Sequence, residues 1–145
     1  MQPPISILLY EDNKNVREFI TDYLDASDQM YIREAFAHAD EAVAQVTQLQ
    51  PDVILMDIEM PGTNGIEALK AIKQAHPQAK VLMQTVFNNA EHLLTALCWG
   101  ASGYILKSDL ATQLKQAIQI VHSGGGFLSP STMPIAIQLF TNKSQ

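Results

Sequence analysis

Short apolar runs alternate with segments of helical period five times along the chain, and this alternation constrains the fold more than any other feature. In each helical segment the apolar side chains recur every three or four residues, which is the spacing of a helix with one buried face. Five runs are predicted as strands: residues 5–10, 30–36, 53–56, 80–85 and 103–106. A repeated strand-then-helix order predicts an α/β protein with a parallel sheet and helices on both faces.

Residues with special backbone or capping properties mark the predicted helix ends. Asn13 is suited to cap the first helix, Pro51 prevents the second from continuing, and Gly100 fits the C-terminal cap of the fourth. The last helix of the repeat is predicted over residues 108–122, and three consecutive glycines at 124–126 end it. We expect those glycines to be flexible and the tail to form one or two helical turns after Pro134.

Composition excludes several classes of protein. The 145 residues include 15 acidic and 9 basic side chains, a net charge of −6 that does not favour direct binding to nucleic acid. The single cysteine cannot form an internal disulfide or a CxxC metal site. No apolar run approaches the roughly 18 residues that a membrane helix needs. We therefore expect a cytoplasmic protein that makes no contact with membranes.

Polar side chains follow four of the five predicted strands. Glu11 and Asp12 come after the first strand, Asp57 after the third, Thr85 ends the fourth and Lys107 follows the fifth. Ligands of such sheets gather where the strands end, so we expect these groups to meet at one edge. Each residue alone is explained by a turn, a helix cap or a solvated surface. Their joint occurrence at four strand ends favours a functional site.

The chemistry of this set is that of a phosphoryl acceptor. Three crowded carboxylates repel one another unless a cation compensates their charge, and Mg²⁺ prefers such oxygen ligands while leaving positions for phosphate oxygens. An ionised carboxylate can attack a phosphoryl group in line without a base. The ammonium and the metal neutralise charge on the other phosphoryl oxygens.

Four stretches resemble the receiver domains of bacterial two-component response regulators. They are Glu11-Asp12-Asn13, residues 52–69 (DVILMDIEMPGTNGIEAL), Thr85, and residues 100–108 (GASGYILKS). The resemblance extends from Ile5 to about His122. It implies a flavodoxin-like (βα)5 fold, doubly wound, with the strand order 2-1-3-4-5.

The resemblance also implies a role for each site residue. Asp57 is the phosphoacceptor and, with Asp12, a direct ligand of Mg²⁺, for which Mn²⁺ can substitute. Glu11 acts on the metal through water, and Glu59 supplies its backbone carbonyl. The resemblance also assigns roles in phosphoryl binding and switching to Thr85 and Lys107, and to Tyr104, which lies at the family's switch aromatic position.

A narrower resemblance links the chain to receivers of the NarL/FixJ type. It rests on residues 80–89 (KVLMQTVFNN), on GASGYILKS and on the GGGFLSP that follows the last helix. Such receivers precede a DNA-binding domain of LuxR type. We therefore expect a receiver at residues 1–123 and a linker with a short tail at 124–145, toward a DNA-binding domain outside this sequence. The implied partners are a sensor histidine kinase, a second copy of the chain after phosphorylation, and DNA through that further domain.

Two other functions remain to be compared with a phosphorylation switch. A phosphatase of the haloacid dehalogenase type shares the aspartyl nucleophile but expects a DxDx[TV] motif early in the chain, whereas Asp57 lies mid-chain with Glu59 at the third position. The other is a protein-interaction module, or a single-domain phosphoacceptor, without DNA-binding output. We expect no enzymatic turnover beyond slow self-phosphorylation and self-dephosphorylation. Gln84, a polar residue in a strand expected to be buried, has no role that the sequence explains.

Overall fold

A computed structural model of the protein describes residues 2–143 and contains the five predicted strand–helix units, followed by a sixth strand and a sixth helix. The strands are β1 (Ile5–Tyr10), β2 (Met30–Phe36), β3 (Val53–Asp57), β4 (Val81–Thr85), β5 (Gly103–Leu106) and β6 (Phe127–Leu128). The helices are α1 (Lys14–Asp25), α2 (Ala42–Leu49), α3 (Gly65–Ala75), α4 (Ala90–Cys98), α5 (Leu110–His122) and α6 (Met133–Lys143). Two short 3-10 helices, Lys107–Asp109 and Pro130–Thr132, precede α5 and α6.

The strands form one parallel sheet in the order β2-β1-β3-β4-β5-β6. The predicted order of the first five strands is confirmed, and β6 extends the sheet beside β5. The central strands β3 and β4 are buried along their whole length, which explains why their sequences lack polar alternation. A strand covered on both faces needs apolar side chains on both.

Successive side chains of a strand point alternately into two separate apolar cores. Leu8 and Tyr10 of β1 belong to the core under α2, α3 and α4, whereas Ile7 and Leu9 belong to the core under α1 and α5. This division follows from the two-residue period of a strand. Burying one such side chain contributes about 1.5–3 kcal/mol, so the two cores together hold the layers in place.

The helix ends follow the predicted capping chemistry. Asn13 caps α1, because its side-chain oxygen accepts a hydrogen bond of 3.1 Å from the Val16 N–H. Gly100 has a φ of 87°, a conformation that suits glycine, and its N–H donates to the Leu97 carbonyl at the end of α4. At the end of α2, the residue in the left-handed conformation is not a glycine but Gln50, directly before Pro51, with a φ of 46°. These caps set where each chain segment turns back toward the sheet.

The tail is more structured than the sequence predicted. The one or two turns expected after Pro134 are an 11-residue helix, α6, which packs on α4 through Ala136 and its neighbours. Ser129 is buried, donates its N–H to the Tyr104 carbonyl and accepts the Leu106 N–H on its hydroxyl. Residues 127–143 are therefore no free linker; the division at residue 123 stays a prediction, and residues 144–145 lie outside the described residues.

Candidate functional site

The carboxyl ends of β1, β3, β4 and β5 lie side by side and bring the predicted site residues together. Asp57 at the end of β3 is in register with Gln84, and Thr85 at the end of β4 with Leu106, directly before Lys107. The expected convergence of four strand ends at one edge is therefore present in the structure.

Three of the predicted residues form a carboxylate cluster. Glu11, Asp12 and Asp57 each offer an oxygen that lies within 4.8 Å of an oxygen of the other two. Glu11 and Asp57 are fully buried, whereas Asp12 is exposed, so the cluster opens to solvent on one side. Hard oxygen ligands with an open, hydrated side fit Mg²⁺, which keeps several waters. The residues present thus fit the metal that the sequence predicted.

Lys107 is the cation that faces this cluster. Its Nζ lies 2.6 Å from Oε1 of Glu11 and 3.1 Å from Oδ2 of Asp57. Burial lowers the pKa of Lys107, but its hydrogen bonds to the two carboxylates and their charges outweigh burial and raise the pKa above its ordinary value. Lys107 is therefore charged at neutral pH.

One lysine does not compensate two buried carboxylates. Burial, and after it the charge of Glu11, raise the pKa of Asp57 well above its ordinary value, and Lys107 offsets this only in part. A divalent cation at the cluster would supply the missing positive charge. The ionisation of Asp57 therefore depends on what binds here.

The backbone around the cluster is fixed by close contacts. Arg17 donates to the carbonyls of Glu11 and Asp12 at 2.8 and 3.3 Å, which anchors the acidic pair to the first turns of α1. After β3, a Cβ at Gly65 would lie 2.1 Å from the Asp57 carbonyl oxygen. Only glycine permits this approach of α3 to the strand end. These contacts fix the backbone at the acidic pair and, separately, at Asp57.

Glu59 has a side-chain role that the sequence did not predict. The Thr85 hydroxyl donates to the Glu59 carboxylate, 2.7 Å from Oε1 and 2.8 Å from Oε2. The Val86 N–H points to the same carboxylate, 3.4 Å from Oε1. Glu59 also donates its own N–H to Oδ1 of Asp57 at 3.2 Å. Its backbone carbonyl as a metal ligand stays a prediction.

Tyr104 is fully buried beside this site. Burial, and after it the charge of Glu59, raise the pKa of its hydroxyl. That hydroxyl has no hydrogen-bond partner among residues 2–143. Tyr104 therefore occupies a buried position in this structure, while Thr85 is held by Glu59.

Gln84 also reaches the site, although the sequence offered no role for it. Its Nε2 donates a hydrogen bond of 3.2 Å to Oε1 of Glu11, the oxygen that also accepts from Lys107. The one sequence signal was its polarity within an otherwise apolar strand. That signal marks a residue with a buried partner but does not say which.

Known proteins match both the sequence and the fold. Residues 7–119 match the response regulator receiver domain family. The transcriptional regulatory protein LnrK of Bacillus subtilis is 38% identical over 126 residues, which cover 87% of this chain and 57% of that protein. The oxygen regulatory protein NreC of Staphylococcus carnosus is 33% identical over 141 residues, 97% of this chain and 65% of that protein. This chain thus spans about three fifths of the length of these relatives.

Solved structures agree with these matches. A two-component response regulator of the LuxR family from Aurantimonas superposes with a TM-score of 0.89 at 31% identity, covering 94% of this chain and 99% of that one. The isolated receiver of RcsB from Salmonella enterica, at 23% identity and a TM-score of 0.83 over 91% of this chain and 98% of that one, shows the same fold. The chain belongs to the response regulator receiver domain family, and its relatives are LuxR-type regulators.

None of the helices within residues 2–143 has the length and apolarity needed to cross a bilayer.

Proposed function

We propose that this chain is a phosphorylation-activated receiver, which takes a phosphoryl group from a sensor histidine kinase on Asp57 and controls a transcriptional output. The observation that carries the proposal is the placement of Asp57. Its buried carboxylate lies 3.1 Å from the Lys107 ammonium and within 4.8 Å of oxygens of Glu11 and Asp12, two further carboxylates suited to a divalent metal. A nucleophile, a cation and metal ligands within one small site are the requirements of phosphoryl transfer to a carboxylate.

With a divalent cation at the cluster, the ionised form of Asp57 would be favoured, and the transfer would then need no base. A carboxylate oxygen of Asp57 attacks phosphorus while the bond from phosphorus to the donor breaks, and the leaving group departs with the electron pair. Lys107, held by Glu11 and Asp57, is positioned to neutralise the phosphoryl oxygens. Bound Mg²⁺ would neutralise the carboxylates and further charge on those oxygens. The other chemistry expected of the chain is slow self-phosphorylation from small donors and self-dephosphorylation.

The switch that follows would exchange the partner of Thr85. Its hydroxyl now donates to Glu59, and a phosphoryl group on Asp57 offers about two negative charges and new acceptor oxygens close by. Thr85 would leave Glu59 for the phosphoryl group, and the rearranged pocket would fix Tyr104 in its buried position. A two-state change of this kind needs only a few kcal/mol of differential stabilisation to reverse the populations.

The relatives support a proposal for the output and the partners. LnrK is a transcriptional regulatory protein, and a further neighbour is described as two RcsB dimers bound to DNA. We propose that phosphorylation promotes pairing of two copies of this chain, and that DNA is bound through a further domain. With its net charge of −6, this chain is poorly suited to grip DNA itself. We also propose a cytoplasmic location.

Phosphorylation with a small donor tests the function directly. In the presence of Mg²⁺ and acetyl phosphate, intact-mass measurement should show one added phosphoryl group, and a chelator should prevent it. Asp57→Asn should abolish the addition, since an amide is not a competent nucleophile. Asp22→Asn removes an exposed carboxylate of α1 and serves as the matched control, with unchanged phosphorylation. Full phosphorylation of Asp57→Asn would contradict the assignment.

A further inference from the structure

Gln84 occupies a position in which a buried amide is unfavourable for packing. It lies in the middle of the sheet, fully buried, and pairs with Asp57 on one side and Ile105 on the other. Leu82, two residues earlier on the same face of β4, belongs to the apolar core under α1 and α5. The Gln84 Oε1 atom has no hydrogen-bond partner within the described residues. Since an unpaired buried carbonyl destabilises a fold, packing alone does not explain glutamine here.

The other end of the amide has a specific partner. Nε2 of Gln84 donates to Oε1 of Glu11, and that oxygen also accepts from Lys107. The second oxygen, Oε2, accepts the Asn13 N–H at 3.0 Å. A carboxylate offers about four acceptor positions, so these three donors leave about one, on Oε2. The orientation of Glu11, and the oxygen it can offer to a metal-bound water, are therefore fixed by its donors.

We propose that Gln84 is a positioning residue for the metal site, acting through Glu11. Lys107 cannot fill this role alone, because it is shared with Asp57 and would turn toward a phosphoryl group there. Among the described residues the neutral Gln84 amide donates to Glu11 alone, so it stays on Glu11 whichever group Lys107 faces. It keeps the buried carboxylate satisfied while Lys107 changes partner. The inference rests on the proposed function, since it assigns a residue to the same metal-dependent site.

Mg²⁺ binding measured by titration calorimetry tests this role without any phosphoryl donor. Gln84→Met keeps the approximate length and volume but removes the donor. We expect it to raise the Kd for Mg²⁺ about tenfold, the lower end for loss of an outer partner of a metal site, because Glu11 acts through a metal-bound water. Leu82→Met changes the same strand face away from the site and should leave the Kd unchanged. Gln84→Leu provides a second variant without the donor, and urea titration verifies that each variant folds.

A double-mutant cycle separates positioning from a general structural effect. If Gln84 acts through Glu11, then adding Gln84→Met to a Glu11→Ala variant should change the Mg²⁺ affinity no further. Wild-type affinity in Gln84→Met, or an undiminished effect of Gln84→Met when Glu11 is absent, would overturn the inference. Failure of the proposed function would look different, because the wild-type protein itself would then bind no Mg²⁺ and accept no phosphoryl group.

Discussion

In the proposed switch Glu59 competes with a phosphoryl group for the Thr85 hydroxyl, so removing the charge of Glu59 should strengthen binding at Asp57. A hydrogen bond to a charged acceptor contributes about 1.5–3 kcal/mol and one to a neutral acceptor about 0.5–1.5 kcal/mol. Glu59→Gln keeps the shape and weakens the bond to Thr85 by about 1 kcal/mol, which corresponds to about a fivefold change in affinity. The loss of charge repulsion between Glu59 and an incoming anion acts in the same direction.

Beryllofluoride, the phosphoryl mimic present in the RcsB receiver structure, allows the effect of Glu59→Gln on binding at Asp57 to be measured at equilibrium. With Mg²⁺ present, Glu59→Gln should lower the Kd for beryllofluoride about fivefold. The titration is monitored through the NMR shifts of the residues around Thr85. Glu67→Gln removes the same charge from an exposed position in the first turn of α3 and should have little effect. Unchanged or weaker binding by Glu59→Gln would refute the competition.

Three further predictions concern stability, the metal and the switch. Because the pKa of Asp57 is raised in the folded protein, the contribution of Asp57 to the stability of the metal-free protein should be fully present below the unfolded value of about 4 and be lost as pH rises through the raised pKa. In urea titrations at about pH 5 and about pH 8, Asp57→Asn should remove this loss and Mg²⁺ should reduce it. An equal change in the free energy of unfolding between the two pH values in wild type and Asp57→Asn would contradict the burial argument. Asp12→Ala should weaken Mg²⁺ binding in calorimetry more than Glu11→Ala, because direct coordination outweighs a contact through water, and equal effects would reverse that assignment. Thr85→Ala should leave Asp57 phosphorylatable but abolish the phosphorylation-induced NMR shifts around Tyr104, and full retention of those shifts would exclude this route.

The sequence predicted the sheet well because the apolar runs in the sequence coincide with the strands that are buried in the structure. Strands β1, β2 and β5 begin and end where the apolar runs do, at Ile5–Tyr10, Met30–Phe36 and Gly103–Leu106. The strand β6 was missed because two residues, Phe127–Leu128, are too few to show a period. The extent of α6 was missed because its stability comes from packing on α4, which local sequence does not report.

The candidate site was predicted in its members but not in all its contacts. Strand ends meet at one edge of a parallel sheet, so the proximity of Asp57 and Lys107 followed from topology. The hydrogen bond from Thr85 to Glu59 and the one from Gln84 to Glu11 depend on side-chain directions across strands, which no spacing along the chain encodes. A polar residue in a buried strand could point to a partner, but only the folded register identifies it as Glu11.

The central claim is that Asp57 carries the phosphoryl group, and chemical mapping tests it most directly. Sodium borohydride reduces an aspartyl phosphate to an alcohol, which converts the modified aspartate into homoserine. After treatment with acetyl phosphate and Mg²⁺, followed by borohydride and peptide mass spectrometry, homoserine should appear at position 57 and depend on Mg²⁺. Homoserine at Asp12 instead, or a phosphoryl group on a residue other than an aspartate, would contradict the account.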